Sequence, residues 1–187
     1  MEALVPAFLV AVLTQLGDRP AWLTAILADR FGRPLLVALA AGLGHAAGNA
    51  LAVLGALWIA PMLTPEARAL LLAVALLYGG LFALVPERAP ERLDTWRLGP
   101  LLVPLLGIFI LAFGERTQFL TFAIGARSMP WFAAVGAAFG ALAVAFVAAA
   151  LGERAWRRIP FRGFRVLTGL LFLVAGAIVG LGALRLL

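Results

Sequence analysis

The sequence contains no cysteine and no lysine, and only 13% of its 187 residues are charged. Without cysteine the chain can form no disulfide, zinc–thiolate site or thiol redox motif. Soluble domains carry about 25% charged residues. The scarcity of charge, the 64% share of hydrophobic residues and the mean hydropathy of +1.07 therefore indicate a protein of the lipid bilayer.

Six apolar segments are each long enough to cross a bilayer, which takes about 20 residues. They lie near residues 3–28, 34–60, 67–85, 100–126, 130–151 and 164–186. The N-terminus lacks the basic region and small-residue cleavage site of a signal peptide, so we expect the first segment to be retained. The sequence thus predicts an all-α, polytopic membrane protein with six transmembrane helices.

The basic residues predict the orientation of these spans. Of the 15 arginines, ten fall in the segments after spans 1, 3 and 5, and three fall on the opposite side. Cytoplasmic loops carry the excess of basic residues, so both termini are expected outside the cytoplasm, most simply across a prokaryotic inner membrane. Arginines in short loops are what membrane topology requires, so the net charge of +6 does not indicate nucleic-acid binding.

The two halves of the chain match at an offset of 97 residues. "LGDRPAWLTAILADR" (16–30) aligns with "FGERTQFLTFAIGAR" (113–127), and Gly79 falls opposite Gly176. Each half has three spans, an odd number, so the second must enter the membrane from the opposite side. We expect two inverted three-helix repeats, 1–85 and 100–187, joined by a cytoplasmic loop at 86–99. Secondary transporters commonly have this architecture, with the site where broken helices meet.

Two acid–arginine pairs lie inside the predicted spans, and they are repeat equivalents: Asp18–Arg19 and Glu115–Arg116. A charged group at the bilayer centre costs about 2.5–3.5 kcal/mol on insertion scales. These four side chains should therefore face the bundle interior or a water-filled cavity. They mark an ion pathway or, in the alternative, salt bridges that only hold helices together.

The local sequence also predicts a helix break in each copy. Gly17 and Gly114 each precede an acid, a pattern typical of one helix ending and the next being capped. Pro20 suits the first turn of a new helix, where its missing N–H is harmless. Breaks of this kind expose backbone oxygens beside carboxylates, and hard cations bind such oxygens.

The two copies, "QLGDRP" (15–20) and "AFGERT" (112–117), resemble the paired motif of the Gdt family, within the lysine-exporter superfamily. The family motif reads Glu, any residue, Gly, Asp, Lys or Arg, then Thr or Ser, and the resemblance extends over essentially the whole chain. It implies a secondary transporter that exchanges a divalent cation, Mn²⁺ or Ca²⁺, for protons. No permanently bound cofactor is implied.

This chain departs from the family motif in both copies. The leading glutamate is replaced by Gln15 in the first copy and by Ala112 in the second, and the hydroxyl residue is replaced by Pro20 in the first copy. The second copy keeps its hydroxyl in Thr117. The predicted site therefore holds two carboxylates against two arginines, a net charge of about zero.

Under this resemblance Asp18 and Glu115 are the expected ligands of the transported cation and carriers of the protons. The remaining expected ligands are Gln15, Gln118 and Thr117, with Arg19, Arg116, Gly17 and Gly114 assigned to transport or gating. Gln15 and Gln118 each lie three residues from an acid, which predicts an amide layer on the outer side of the carboxylates.

A second polar patch is predicted in span 2. His45, the only histidine, and Asn49 lie one helical turn apart, opposite the apolar Leu142 and Phe146 in the second half. We assign both to transport or gating, because a histidine can carry a proton near neutral pH. The alternative is an interhelical hydrogen bond that holds spans together.

Other functions compete with cation/proton exchange. The neutral site would also suit an exporter of another small solute, and a membrane scaffold without transport would use the charges as structural bridges. An enzyme is not expected, because the chain has no serine–histidine pair, histidine cluster or nucleotide-binding loop. The expected partners are the bilayer and a metal-ion substrate, and homo-oligomer formation stays open.

Overall fold

The computed structural model describes residues 2–186, and over that range the protein is helical with no strand. The helices are α1 (Leu4–Gln15), α2 (Arg19–Phe31), α3 (Pro34–Ile59), α4 (Pro65–Leu84), α5 (Gly99–Ala112), α6 (Arg116–Arg127), α7 (Pro130–Trp156) and α8 (Phe161–Ala183). A 3₁₀ turn, Ala60–Met62, follows α3. The predicted all-α class is therefore confirmed.

Prolines begin many of these helices. Pro34, Pro65 and Pro130 are the first residues of α3, α4 and α7, where a fixed φ favours the helix and a missing N–H costs nothing. Thr64 caps α4, because its hydroxyl accepts a hydrogen bond from the backbone N–H of Ala67 at 3.2 Å. Gly152, with φ of 69°, interrupts α7 one turn before its end.

Four helices in the described part of the chain, α3, α4, α7 and α8, are long and apolar enough to cross a membrane. Helices α5 and α6 together would form a fifth span, bent by 70°. The sequence predicts six spans. The difference arises at the first of them, because a break divides it into α1, with 12 residues, and α2, with 13, each shorter than a bilayer requires.

The helices pack in pairs that join the two halves of the chain. Helix α3 lies along α7 and α4 lies along α8, while α1 packs against α7 and α3 against α5. The outer surface is strongly apolar. On α8, for example, Leu167 is 68% exposed and Leu170, Val174 and Ile178 are exposed beside it. Such a surface is normal against lipid and abnormal against water.

Small residues bring these backbones close together. A Cβ placed on Gly140 of α7 would lie 2.6 Å from the carbonyl oxygen of Phe8 in α1, and one on Gly44 of α3 would lie 2.6 Å from that of Leu105 in α5. Gly136 likewise faces the carbonyl of Leu4. These glycines therefore form close-packing faces, as is usual between membrane helices.

The C-terminal ends of α2 and α7 and the segment that follows α4 meet at one end of the bundle. Arg30 donates to the carbonyl oxygens of Leu93 and Trp96 at 2.6 and 2.9 Å. Arg92 donates two hydrogen bonds to Glu153, at 2.8 and 2.9 Å. The arginine count assigns all three segments to one side, and we call this end the arginine-rich end.

We expect Gly140→Ala to destabilise the protein, because the added methyl group meets the Phe8 carbonyl and also lies 2.9 Å from the Ala11 Cβ. Overpacking of this kind costs about 1–3 kcal/mol. Thermal unfolding in detergent would measure the change. Gly163→Ala is the matched control, since nothing lies within 4 Å of its Cβ position. Equal unfolding midpoints for the two variants would contradict the packing described here.

Candidate functional site

The chain breaks its helices at two equivalent positions, as predicted. Helix α1 ends at Gln15 and α2 begins at Arg19, while α5 ends at Ala112 and α6 begins at Arg116. Gly17 and Gly114 lie within these breaks with φ of 81° and 76°. Only glycine adopts such angles readily, so both breaks are encoded locally in the sequence.

The acids that follow these glycines sit at helix N-termini, but they are used differently. The Asp18 carboxylate accepts a hydrogen bond from the backbone N–H of Arg19 at 3.0 Å and so caps α2. Glu115 occupies the same position before α6, yet its side chain does not cap the helix. There the Gln118 side-chain oxygen accepts the Gly114 N–H at 2.9 Å. The Glu115 carboxylate is therefore left for other partners.

A buried ion pair connects the two breaks. Arg116 Nη2 lies 3.0 Å from Asp18 Oδ1, and Arg116 Nε lies 3.3 Å from Asp18 Oδ2. The two side chains are only 6% and 3% exposed. Such bidentate pairs are strong and geometrically specific, and removing one partner of a buried pair typically costs about 3–5 kcal/mol.

The equivalent pair in the other direction is not formed in the described structure. Arg19 and Glu115 correspond to Arg116 and Asp18 at the 97-residue offset, but no ion pair within 4.0 Å joins them among residues 2–186. The buried Nε of Arg19 also has no hydrogen-bond partner. The centre is therefore asymmetric although the two motif copies are similar.

Glu87 is a third acid at this centre, and the sequence reasoning missed it by assigning it to a loop. Its Oε1 lies 3.7 Å from Arg116 Nη2 and 3.9 Å from Arg165 Nη2. Arg165 is held in place by the carbonyls of Ala83 and Val85. The position of Glu87 in the sequence could have indicated this role. Glu87 comes three residues after the end of α4, so the chain can bring its side chain back towards the bundle.

These side chains line a pocket of about 220 Å³. Its wall consists of Asp18, Arg19, Tyr78, Phe82, Glu87, Phe113, Gly114, Glu115 and Arg116. Counting Arg165, which contacts Glu87, three carboxylates face three guanidinium groups. The structure enlarges the predicted centre but leaves its net charge near zero.

A second group of polar side chains is buried beside the breaks, and we call it the polar layer. It comprises Thr14, Gln15, His45, Asn49, Thr117, Gln118 and Thr121, all buried. The hydroxyls of Thr14 and Thr117 lie 2.9 Å apart, which joins the end of α1 to the start of α6. Gln15 Nε2 lies 3.5 Å from His45 Nδ1, and the Gln118 amide packs on Gly48 of α3.

The predicted site residues thus fall into two groups. Asp18, Glu115, Arg19, Arg116 and Gly114 line the pocket, whereas Gly17 packs against Phe161 and lines a second pocket. The other five, Gln15, Gln118, Thr117, His45 and Asn49, belong to the polar layer. Within residues 2–186 no group of three or more histidine and acidic side chains is arranged to hold a metal ion; in this state the Asp18 carboxylate is bound to Arg116.

Glu87 lies outside the membrane-spanning helices, and its surroundings favour protonation. Burial raises the pKa of the Glu87 carboxyl above the ordinary glutamate value, and the Asp18 carboxylate raises it further. The guanidinium groups of Arg116, Arg165 and Arg19 oppose the rise. Because the pKa is raised, Glu87 keeps its proton to a higher pH than an exposed glutamate.

The chain is similar to known proteins over most of its length. A family model described as "Divalent cation/proton antiporter GDT1" matches residues 3–91 and 100–185. A protein of Vibrio cholerae named "Putative manganese exporter" is 25% identical over 177 residues, which covers 93% of this chain and 88% of that protein. No solved structure matches the chain.

We expect Glu87→Gln to flatten the pH dependence of divalent-cation binding. In the unsubstituted protein, Glu87 gains its negative charge as pH rises through its raised pKa, so cation affinity should increase over that range. The variant cannot gain this charge. Dissociation constants measured from acidic to neutral pH would show the change, with the exposed Glu91→Gln in the same segment as control. An unaltered pH profile in Glu87→Gln would refute this role.

Proposed function

The chain belongs to the GDT1 family of divalent cation/proton antiporters, and we propose that it exchanges Mn²⁺ or Ca²⁺ for protons across the membrane. The Vibrio cholerae relative, by its name, favours Mn²⁺ and export. The observation that carries the proposal is the buried Asp18–Arg116 pair, which joins the two helix breaks beside an open pocket.

In the proposed mechanism, the cation competes with Arg116 and with protons for the carboxylates. Arg116 now neutralises Asp18, so a cation can bind there only after the guanidinium moves away. Glu115 lines the same pocket and can take a proton when the cation leaves, because two ionised carboxylates held close together repel each other. The carboxylates then bind either the cation or its competitors but not both, as coupled exchange requires.

Glu87 and Arg165 are proposed to control entry from the arginine-rich end. Glu87 contacts Arg116 from the segment that joins the two halves. Its carboxylate could draw Arg116 away from Asp18 when ionised and release it when protonated. The aromatic rings of Tyr78 and Phe82, also in the pocket wall, would restrict water on that side.

We propose that the chain crosses the membrane six times as two inverted three-helix repeats, 1–85 and 100–187, joined by a cytoplasmic loop at 86–99. The pairing of α3 with α7 and of α4 with α8 supports this, because each is a pairing of equivalent helices. The arginine excess supports cytoplasmic placement of the arginine-rich end. Both termini would then lie outside, in the inner membrane of a prokaryote.

The asymmetry at the centre suggests how access alternates. The pocket now opens beside Glu87, with Arg116 bound to Asp18 and with Arg19 and Glu115 apart. In an inverted repeat the opposite state arises when the halves exchange conformations. That state would pair Arg19 with Glu115, release Arg116, and open the site on the other side.

Two other functions make different predictions. An exporter of another small solute would use the same pocket but would not depend on a metal ion. A scaffold would keep the ion pairs and transport nothing. Flux measured in proteoliposomes under an imposed pH gradient, with a panel of metal ions, separates these functions. The test gives the same answer whether or not the protein forms oligomers.

We expect Asp18→Asn and Glu115→Gln each to abolish cation flux in proteoliposomes while leaving an inserted, folded protein. Arg116→Ala should instead bind the cation more tightly and release it more slowly, because the internal competitor is lost. Transport and metal binding should be measured for all three variants. Asp94→Asn and Glu66→Gln, which change exposed acids in the same way, are the matched controls. Wild-type flux in both acid-neutralised proteins would show that the carboxylates are structural.

A further inference from the structure

Two amide side chains in the polar layer are buried without partners. Asn49 is only 1% exposed, and neither its side-chain oxygen nor its nitrogen has a hydrogen-bond partner. The Gln118 Nε2 atom is also buried and unpartnered. Leaving such a group unsatisfied is energetically costly, and buried polar groups in native proteins are nearly always bonded. The unpartnered amides therefore indicate that the polar layer can bind a ligand.

These amides lie close to the only imidazole in the protein. His45 is one helical turn before Asn49 on α3 and is 4% exposed. Its Nδ1 atom faces the Gln15 amide at 3.5 Å. Gln118 reaches the same face of α3 at Gly48. A nitrogen donor and several amide groups from α1, α3 and α6 thus gather in one layer.

The layer is also connected to the anionic group of the centre. The backbone N–H of Asp18 donates to the carbonyl of Gln15 at 3.1 Å, so Gln15 contacts His45 with its side chain and Asp18 with its backbone. A cation bound at the layer would lie next to the stretch that carries the Asp18 carboxylate. Positions 142 and 146, the equivalents of His45 and Asn49, are Leu142 and Phe146, so α7 offers no such donors.

We propose that His45, with the Gln15 and Asn49 amides, is a ligand of the transported cation, and that the substrate class is a transition-metal dication rather than Ca²⁺. Imidazole nitrogen binds first-row transition-metal dications, Mn²⁺ the most weakly of them, whereas Ca²⁺ and Mg²⁺ take oxygen ligands. This inference rests on the proposed cation exchange and narrows its substrate. His45 would also supply a ligand atom in place of the family-motif glutamate, which is Gln15 in this chain.

The test is pulsed EPR on Mn²⁺ bound to the intact protein, purified without a histidine tag. An imidazole nitrogen bound to Mn²⁺ modulates the electron spin echo, and the chain has one histidine, so the source of the signal is unambiguous. We expect nitrogen modulation in the unsubstituted protein. His45→Gln should abolish the modulation, and Leu142→Ala, at the equivalent position in α7, should keep it.

Affinity measurements give a second readout. In His45→Gln, Mn²⁺ affinity should fall about tenfold or more, since loss of even a supporting group around a metal ligand has an effect of that size. Ca²⁺ affinity, measured by competition, should change much less. Equal losses for both ions would mean that His45 only holds helices together and would overturn the inference.

The outcomes also separate this inference from the proposed function. Mn²⁺ transport without nitrogen modulation in the unsubstituted protein would overturn the role of His45 and leave cation exchange standing. Modulation that persists in His45→Gln would do the same. Absence of both Mn²⁺ binding and Mn²⁺ transport would contradict the two proposals together. Should His45→Gln fail to fold, nitrogen modulation in the spectrum of the unsubstituted protein still decides whether His45 binds Mn²⁺.

Discussion

The buried ion pair between Asp18 and Arg116 is the interaction on which the rest of this structure depends. Each residue is at the start of a helix that follows a break, and the two breaks come from opposite halves of the chain. A charge in this position is costly unless it is paired. The pair therefore holds the halves in one arrangement, and any group that separates it must supply a replacement charge. A divalent cation or a proton can do so at the carboxylate.

The same pair belongs to a centre whose formal net charge is near zero but whose ion-pair contacts are unevenly distributed. Three acids and three arginines cancel in net charge, but they are not matched one to one. Arg116 contacts both Asp18 and Glu87, while the Arg19 Nε atom has no partner. A small rearrangement can redistribute these contacts without moving net charge through the membrane interior. Alternation between two such arrangements is a physical basis for exchange in a protein built of two similar halves.

Local chemistry made part of this centre predictable. Glycine before an acid, and Pro20 after it, encode the breaks within a few residues, and the structure has both breaks where the sequence predicts them.

The side-chain contacts between distant parts of the chain were harder to predict. Glu87 reaches Arg116 only because of the path that the chain takes after α4, and Gln15 meets His45 only because the end of α1 comes close to α3. Two motifs that share the Gly–acid–Arg pattern also give no reason for one cross-pair to form and the other not. The apolar pattern does not show that a break divides the first span into α1 and α2, so the count of six spans stays a prediction.

In the proposed exchange, the cation and protons compete for the same carboxylates. Calorimetric titration of the purified protein with Mn²⁺, repeated in buffers of different ionisation enthalpy, measures this competition directly. If protons leave when the cation binds, the observed heat varies with the buffer, and the variation gives the number of protons released. We expect such proton release in the unsubstituted protein. Saturable Mn²⁺ binding with the same heat in every buffer would contradict it.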